Sequence, residues 1–210
     1  IIHEYTKHYD VVDVVCKNRY YSTVKNLYNN SKISVLSFED DPDVVNYIHT
    51  NSHLYDCIKQ ITCFGGPEHM NFEQRFYHAA NVAFEKKWEN FNVIRNMEYE
   101  LQLMNKFTKI FDKPYKFVHH DPYRGMTIKD EYLQGNAFNV GSLMNGTHLT
   151  DNIIDYSSII EQAAEIHVLD SCFMFLVDQL PYQNDNQKLF VHRYAKHLDN
   201  WTKPILKKNW

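Results

Sequence analysis

The spacing of apolar residues changes character twice along the chain. Val11-Val12-Asp13-Val14-Val15-Cys16 is β-branched and almost wholly apolar, the pattern of a strand buried in a parallel sheet. A helix is predicted over 19–29, with Tyr20, Val24, Leu27 and Tyr28 on one face, followed by a second strand over Ile33–Phe38. Asp41-Pro42 then reads as an N-cap with proline in the first turn of a short helix carrying Val44, Val45 and Ile48 inward. A third strand is predicted over Ile58–Phe64, stopped by Gly65-Gly66-Pro67.

The middle of the chain has helical spacing. Phe76, Ala79, Ala80, Ala83, Phe84 and Trp88 predict a helix over 72–91, and Met97, Leu101 and Met104 continue the pattern to about Phe111. Strand signals return afterwards. Tyr115–His120 follows a proline, Gly135–Leu143 offers a further strand, and Asp155 is placed to cap a helix carrying Ile159, Ile160, Ala163 and Ala164. Ile166–Asp170 is the next strand, Ser171–Leu180 the next helix, and Leu189–His192 the last strand, before a closing helix over Trp201–Trp210. Strands alternating with helices imply parallel pairing and right-handed crossovers. The reading is an α/β protein of two small Rossmann-like lobes joined by a helical middle: a partial N-terminal lobe over 1–70, a helical region over 71–112 and a C-terminal lobe over 113–210. The first lobe opens on helical residues, so a preceding strand and Gly-rich loop are expected ahead of Ile1.

Composition narrows the function classes. The 210 residues carry a formal net charge of −4, which argues against a surface built on many phosphate contacts, and so against a nucleic-acid partner. Mean hydropathy is −0.52 and no apolar run approaches a membrane span. The cysteines, Cys16, Cys57, Cys63 and Cys172, have no CxxC spacing and read as reduced thiols of a cytoplasmic protein. Tyrosine and phenylalanine are abundant, at 15 and 13; this reads as compositional bias rather than as a sugar-stacking surface.

Ligands of open α/β sheets bind beyond the carboxyl ends of the strands. Three polar clusters fall there. In His119-His120-Asp121-Pro122-Tyr123-Arg124-Gly125, Arg124 is suited to bidentate phosphate contact, and His119 or Asp121 to accepting a proton from a hydroxyl. Asp170-Ser171 sits at a strand-to-helix junction, where free N–H groups favour anions, although a plain N-cap needs the same residues. His192-Arg193-Tyr194 ends the last strand, and His192 is a candidate for phosphate or sugar contact. His167 reads as a core histidine. His119, His120, Asp121, Asp170 and His192 match no metal-ligand spacing, and Walker A, GxSxG and HExxH motifs are absent. Asp40-Asp41 reads as a cap, and Asp10 and Asp13 fall at the start of a strand, the end opposite to where ligands bind.

The run DYSSIIEQAAEIHVLDSCFMFLVDQL, from Asp155 to Leu180, resembles the donor-side segment of GT-B glycosyltransferases. YKFVHHDPYRG is similar to the basic loop of fucosyltransferase-like members, which usually carry His-x-Arg-Arg where this chain has His119-His120 and, downstream, Arg124. LFVHRYAKH fits the last strand of such a lobe. The resemblance spans roughly residues 106–200 and is only topological over 1–66. It implies a metal-independent transferase that takes a nucleotide-diphospho-sugar of GDP or UDP type and a glycan or other hydroxyl acceptor. Arg124, Asp170, Ser171 and His192 would then hold the donor, and Asp121 or His119 would act as base. Two other readings stay open on the residues alone: a non-catalytic α/β binding protein and a metal-dependent hydrolase.

Overall fold

The structure is a computed structural model and describes residues 1–28, 30–121, 124–140, 149–193 and 203–210. The chain divides into two compact units. The smaller holds Ile1–Ile94 together with Lys203 and Pro204; the larger begins at Arg95 and takes in Ile205–Trp210. The helical middle is shared between them, because the division falls at residue 94. No helix among the described residues is long and apolar enough to cross a membrane.

In the smaller unit β1 (Val12–Lys17) and β2 (Ile33–Phe38) pair in parallel, Val12 opposite Ile33 through Lys17 opposite Phe38. α1 (Ile2–Tyr5) precedes them, α2 (Tyr21–Leu27) connects them and α3 (Asp41–Asn51) follows. The α3 cap lies one residue earlier than expected: the Asp40 carboxylate accepts from the Asp43 N–H, and Pro42 falls in the first turn. The third strand expected over 58–64 does not form. Ile58 is 44% exposed and Phe64 84%, so burial provides little to offset the cost of ordering an extended segment there. The helix expected over 72–91 is broken. α4 (Phe72–Ala79) opens with a reciprocal Asn71–Gln74 capping box, and Asn81 at φ 55° turns the chain before α5 (Lys86–Glu89). The Lys87 ammonium meets Glu73 at 2.6 Å, both side chains buried, and so joins α5 to α4.

The larger unit is a four-stranded, fully parallel sheet of β3 (Lys116–His119), β4 (Ala137–Val140), β5 (Glu165–Leu169) and β6 (Lys188–His192), in spatial order β4-β3-β5-β6. Its helices are α6 (Met97–Phe107), α7 (Ser157–Gln162) and α8 (Cys172–Gln179). Parallel strands need apolar cover on both faces. One face is covered by aromatic rings: Phe107 of α6 meets Phe138 at 4.9 Å, and Phe173 of α8 meets Phe117 at 5.5 Å. The other is covered by the β3–β4 connection, where Ile128, Met126 and Leu133 pack on Val118 and Leu169.

Two expected helix features differ here. Asp155 does not cap α7. It lies in a short 3-10 turn ahead of α7, buried, where its carboxylate accepts from Thr150 Oγ1 at 2.7 Å and Asn152 Nδ2 at 3.0 Å; Asn152 caps that turn, and α7 itself has no side-chain cap. Residues 203–210 form no helix; the two preceding residues of the expected closing helix lie outside the described set. The Lys207 and Lys208 N–H groups and Trp210 Nε1 instead donate to one oxygen of buried Asp178, at 2.8, 2.9 and 3.1 Å. Donors that a helix would use internally satisfy that carboxylate instead.

α6 is tied to α7 by charge. The Glu100 carboxylate, 1% exposed, takes both a 2.8 Å and a 2.6 Å bond from Arg95, and also accepts from the Ser158 N–H and hydroxyl. Arg95 also reaches Glu161 at 2.6 Å. Removing the cation leaves a buried carboxylate without its counter-charge. Arg95→Met is expected to cost about 3–5 kcal/mol in urea unfolding, and Glu100→Gln less, since it removes the buried charge as well.

Candidate functional site

The strand order decides where a site can form. From β3 the chain passes to β4 on one side, then returns to β5 on the other side of β3 and continues outward to β6. The connections therefore diverge at the carboxyl ends of β3 and β5, the kind of switch point at which open parallel sheets bind their ligands. His119, the last residue of β3, lies opposite Val168, and Asp170-Ser171 follow β5 directly.

Several of the residues expected from sequence meet at this edge. The Ser171 hydroxyl lies 3.1 Å from His119 Nδ1. Ser171 has the extended backbone of an N-cap, yet its side chain makes no capping bond to α8, so the hydroxyl serves the histidine and not the helix. His119 in turn packs on Phe173 of α8, ring centroids 4.5 Å apart. Arg124 is brought in by a tight return of the chain. Asp121 and Met126 exchange backbone bonds of 3.0 and 2.9 Å, and Gly125 at φ 66° takes the left-handed turn between them. From there the Arg124 guanidinium donates to the Asp121 carboxylate and, at 2.6 Å, to the Asp170 carbonyl. Pro122 and Tyr123 of the same cluster lie outside the described residues.

Arg193 completes the group, with Nε 2.9 Å from Asp170 Oδ2. Asp170 thus has one guanidinium on its carbonyl and another on its carboxylate. Its second carboxylate oxygen, Oδ1, is buried with no hydrogen-bond partner. A buried acceptor left unmatched is costly and marks a place where a donor fits.

The electrostatics separate the two candidate bases. Burial pushes the His119 imidazole down to about 4, only partly opposed by Asp121. It is neutral at pH 7. Burial alone would raise the Asp121 carboxyl, but the hydrogen bonds from Arg124 outweigh it and hold the group below its usual value. Asp121 is therefore an ionised anchor for Arg124, and His119 is the group with an uncharged ring nitrogen.

His192 does not join them. Its register partner is Leu169, one residue past the partner of His119, so it falls on the opposite face of the sheet. There it lies 3.0 Å from His167 Nδ1 and packs against Tyr132, centroids 4.9 Å apart with the rings tilted, while His167 also meets Glu165 at 3.2 Å. His120 is turned to that face too, accepting from the Ile128 N–H at 3.0 Å. The expected donor residue His192 is thus displaced by its neighbour Arg193, which the two-residue alternation of a strand puts on the other side. Among the described residues no group of three or more His, Cys, Asp and Glu side chains is gathered that could hold a metal. The histidines weighed for that role have separate partners. Tyr194, the last residue of the third cluster, lies outside the described residues.

No family, curated protein or solved structure matches the chain.

Four histidines of this unit, His119, His120, His167 and His192, are held below the ordinary value of 6.5, in each case chiefly by burial. The unfolded chain therefore binds more protons than the native one between pH 6.5 and about 4, the value for His119 and His192. Native stability is expected to be fully present above that window and to fall as pH drops through it. Melting temperatures measured from pH 7 to 4 check this, and His119→Gln should make the slope shallower.

Proposed function

We propose that the larger unit binds a nucleotide-diphospho-sugar of GDP or UDP type and that the protein transfers the sugar to a hydroxyl acceptor. The observation that carries this reading is the convergence of His119, Arg124, Ser171 and Arg193 around Asp170 at the switch point of a parallel sheet. Two guanidiniums beside the start of a helix suit a diphosphate, since bidentate donors and unsatisfied N–H groups both favour phosphate oxygens. Asp121 and Asp170 balance the two arginines in the ligand-free protein. A bound diphosphate competes for the Arg124 guanidinium, which is 43% exposed and so has room to move.

The chemistry follows from those placements. The sugar–phosphate bond breaks as negative charge collects on the diphosphate, where Arg124, Arg193 and the α8 N-terminus stabilise it. The acceptor oxygen forms the new bond to the sugar and gives up its proton to His119. The ring is neutral beforehand, and the adjacent diphosphate raises its basicity. Ser171 fixes the ring through Nδ1 and orients it. No step requires a metal ion. A non-catalytic binding protein would use the same diphosphate contacts, and only a transfer assay separates the two.

Titration calorimetry in the presence of EDTA tests the reading. GDP or UDP should bind, and Arg124→Ala should weaken that binding about tenfold or more, the loss of charge-assisted hydrogen bonds. Unchanged affinity in Arg124→Ala, or no binding of either nucleotide, would contradict it.

A further inference from the structure

The smaller unit contains a cleft of about 660 Å³ at the amino end of β1, within the size range of small-molecule sites. Tyr5, Tyr9, Tyr47 and Tyr55 line it together with Asp13 and Asp56. Four tyrosines from the α1 region, α3 and the segment after α3 are thus brought around one strand-borne carboxylate. The sequence assigns Asp13 to the wrong strand end for a ligand; the cleft places it in a wall.

The hydrogen-bond inventory decides what such a cleft accepts. Tyr55 donates to Asp13 Oδ2 at 2.6 Å, so at the 2.9 Å Tyr47–Tyr55 contact Tyr47 is the donor. Tyr5 donates to the Ala80 carbonyl at 2.7 Å. Each of these hydroxyl protons is spent within the protein. What they leave available is acceptor capacity: oxygen lone pairs, the Asp13 Oδ1 atom, which accepts no bond from the described residues, and the electron-rich faces of the rings. The formal charge of the lining agrees, with Asp10, Asp13 and Asp56 against Lys59. Three carboxylates against one ammonium disfavour phosphates and other anions. A cation with apolar substituents finds both of its requirements, carboxylate and aromatic ring.

We propose that this cleft binds an organic ammonium ion carrying alkyl groups, with Asp13 as its counter-charge and the tyrosine rings as its cage. The inference stands independently of the nucleotide-sugar reading, which concerns the other unit. Choline and its uncharged carbon isostere 3,3-dimethyl-1-butanol are the probes, titrated into the whole chain with observation of the tyrosine ring signals by NMR. Choline should shift Tyr5, Tyr9, Tyr47 and Tyr55 saturably, and bind about tenfold or more tightly than the isostere. Asp13→Asn, which keeps an acceptor for Tyr55 and removes the charge, should bring the two ligands close together. Equal affinity of the two probes for the natural chain, no saturable choline binding, or choline shifts confined to other tyrosines would overturn the proposal. The comparison between probes needs no variant, so it stands even where Asp13→Asn does not fold.

Discussion

The parallel pairing of β3 with a neighbour on each side governs the larger unit. Because β4 and β5 lie on opposite edges of β3, the chain must leave β3 in one direction and return to the other. Right-handed crossovers then put the β3–β4 connection on one face and α8 on the other. Both faces gain apolar cover, as a parallel sheet requires, and the backbone opens between the carboxyl ends of β3 and β5. The two residues at those ends, His119 and Ser171, come within 3.1 Å although 52 positions separate them in sequence.

Asp170 organises the charges at that opening. Its carbonyl and carboxylate hold Arg124 and Arg193, residues from two different connections, and Asp121 holds Arg124 from behind. The guanidiniums are therefore positioned before any ligand arrives. On the proposed reading this lowers the conformational cost of binding a diphosphate, and the carboxylates of Asp121 and Asp170 offset the two positive charges. His119 is shielded enough to lose its charge; Asp121 opposes that loss and the Arg124 guanidinium reinforces it. Among the described residues of this edge, Asp170 Oδ1 is a buried acceptor without a hydrogen-bond partner. The smaller unit solves a different problem: Tyr55 donates to one oxygen of Asp13, Tyr47 donates to Tyr55, and Asp13 lines a cleft.

Much of the larger unit was legible in the sequence. Apolar runs ending in His119 and Asp170 gave the strands β3 and β5 and the polar edge beyond them, because a buried strand must be apolar and its ligand-facing end need not be. The signals that failed are those whose meaning depends on partners elsewhere. Ile58–Phe64 is apolar enough for a strand, but the described residues leave Ile58 and above all Phe64 exposed. The apolar spacing of 72–91 continues through a turn at Asn81 that periodicity does not register. His192 and Arg193 are adjacent, and only the register of β6 against β5 decides which of them reaches Asp170. The cleft at Asp13 was hidden because its tyrosines are scattered along the chain and become neighbours only on folding. Asp178 gathers donors from residues 207–210 for the same reason, so that an expected helix gives way to a buried acceptor.

On the proposed reading a nucleotide binds at the carboxyl ends of β3 and β5. A 15N–1H correlation titration of the whole chain with GDP and with UDP tests it by location. The account expects saturable shifts at the amides of Asp121, Arg124, Ser171 and Cys172, with His167 and His192 on the opposite face unmoved. Shifts centred on that opposite face, or a spectrum that neither nucleotide changes, would contradict it.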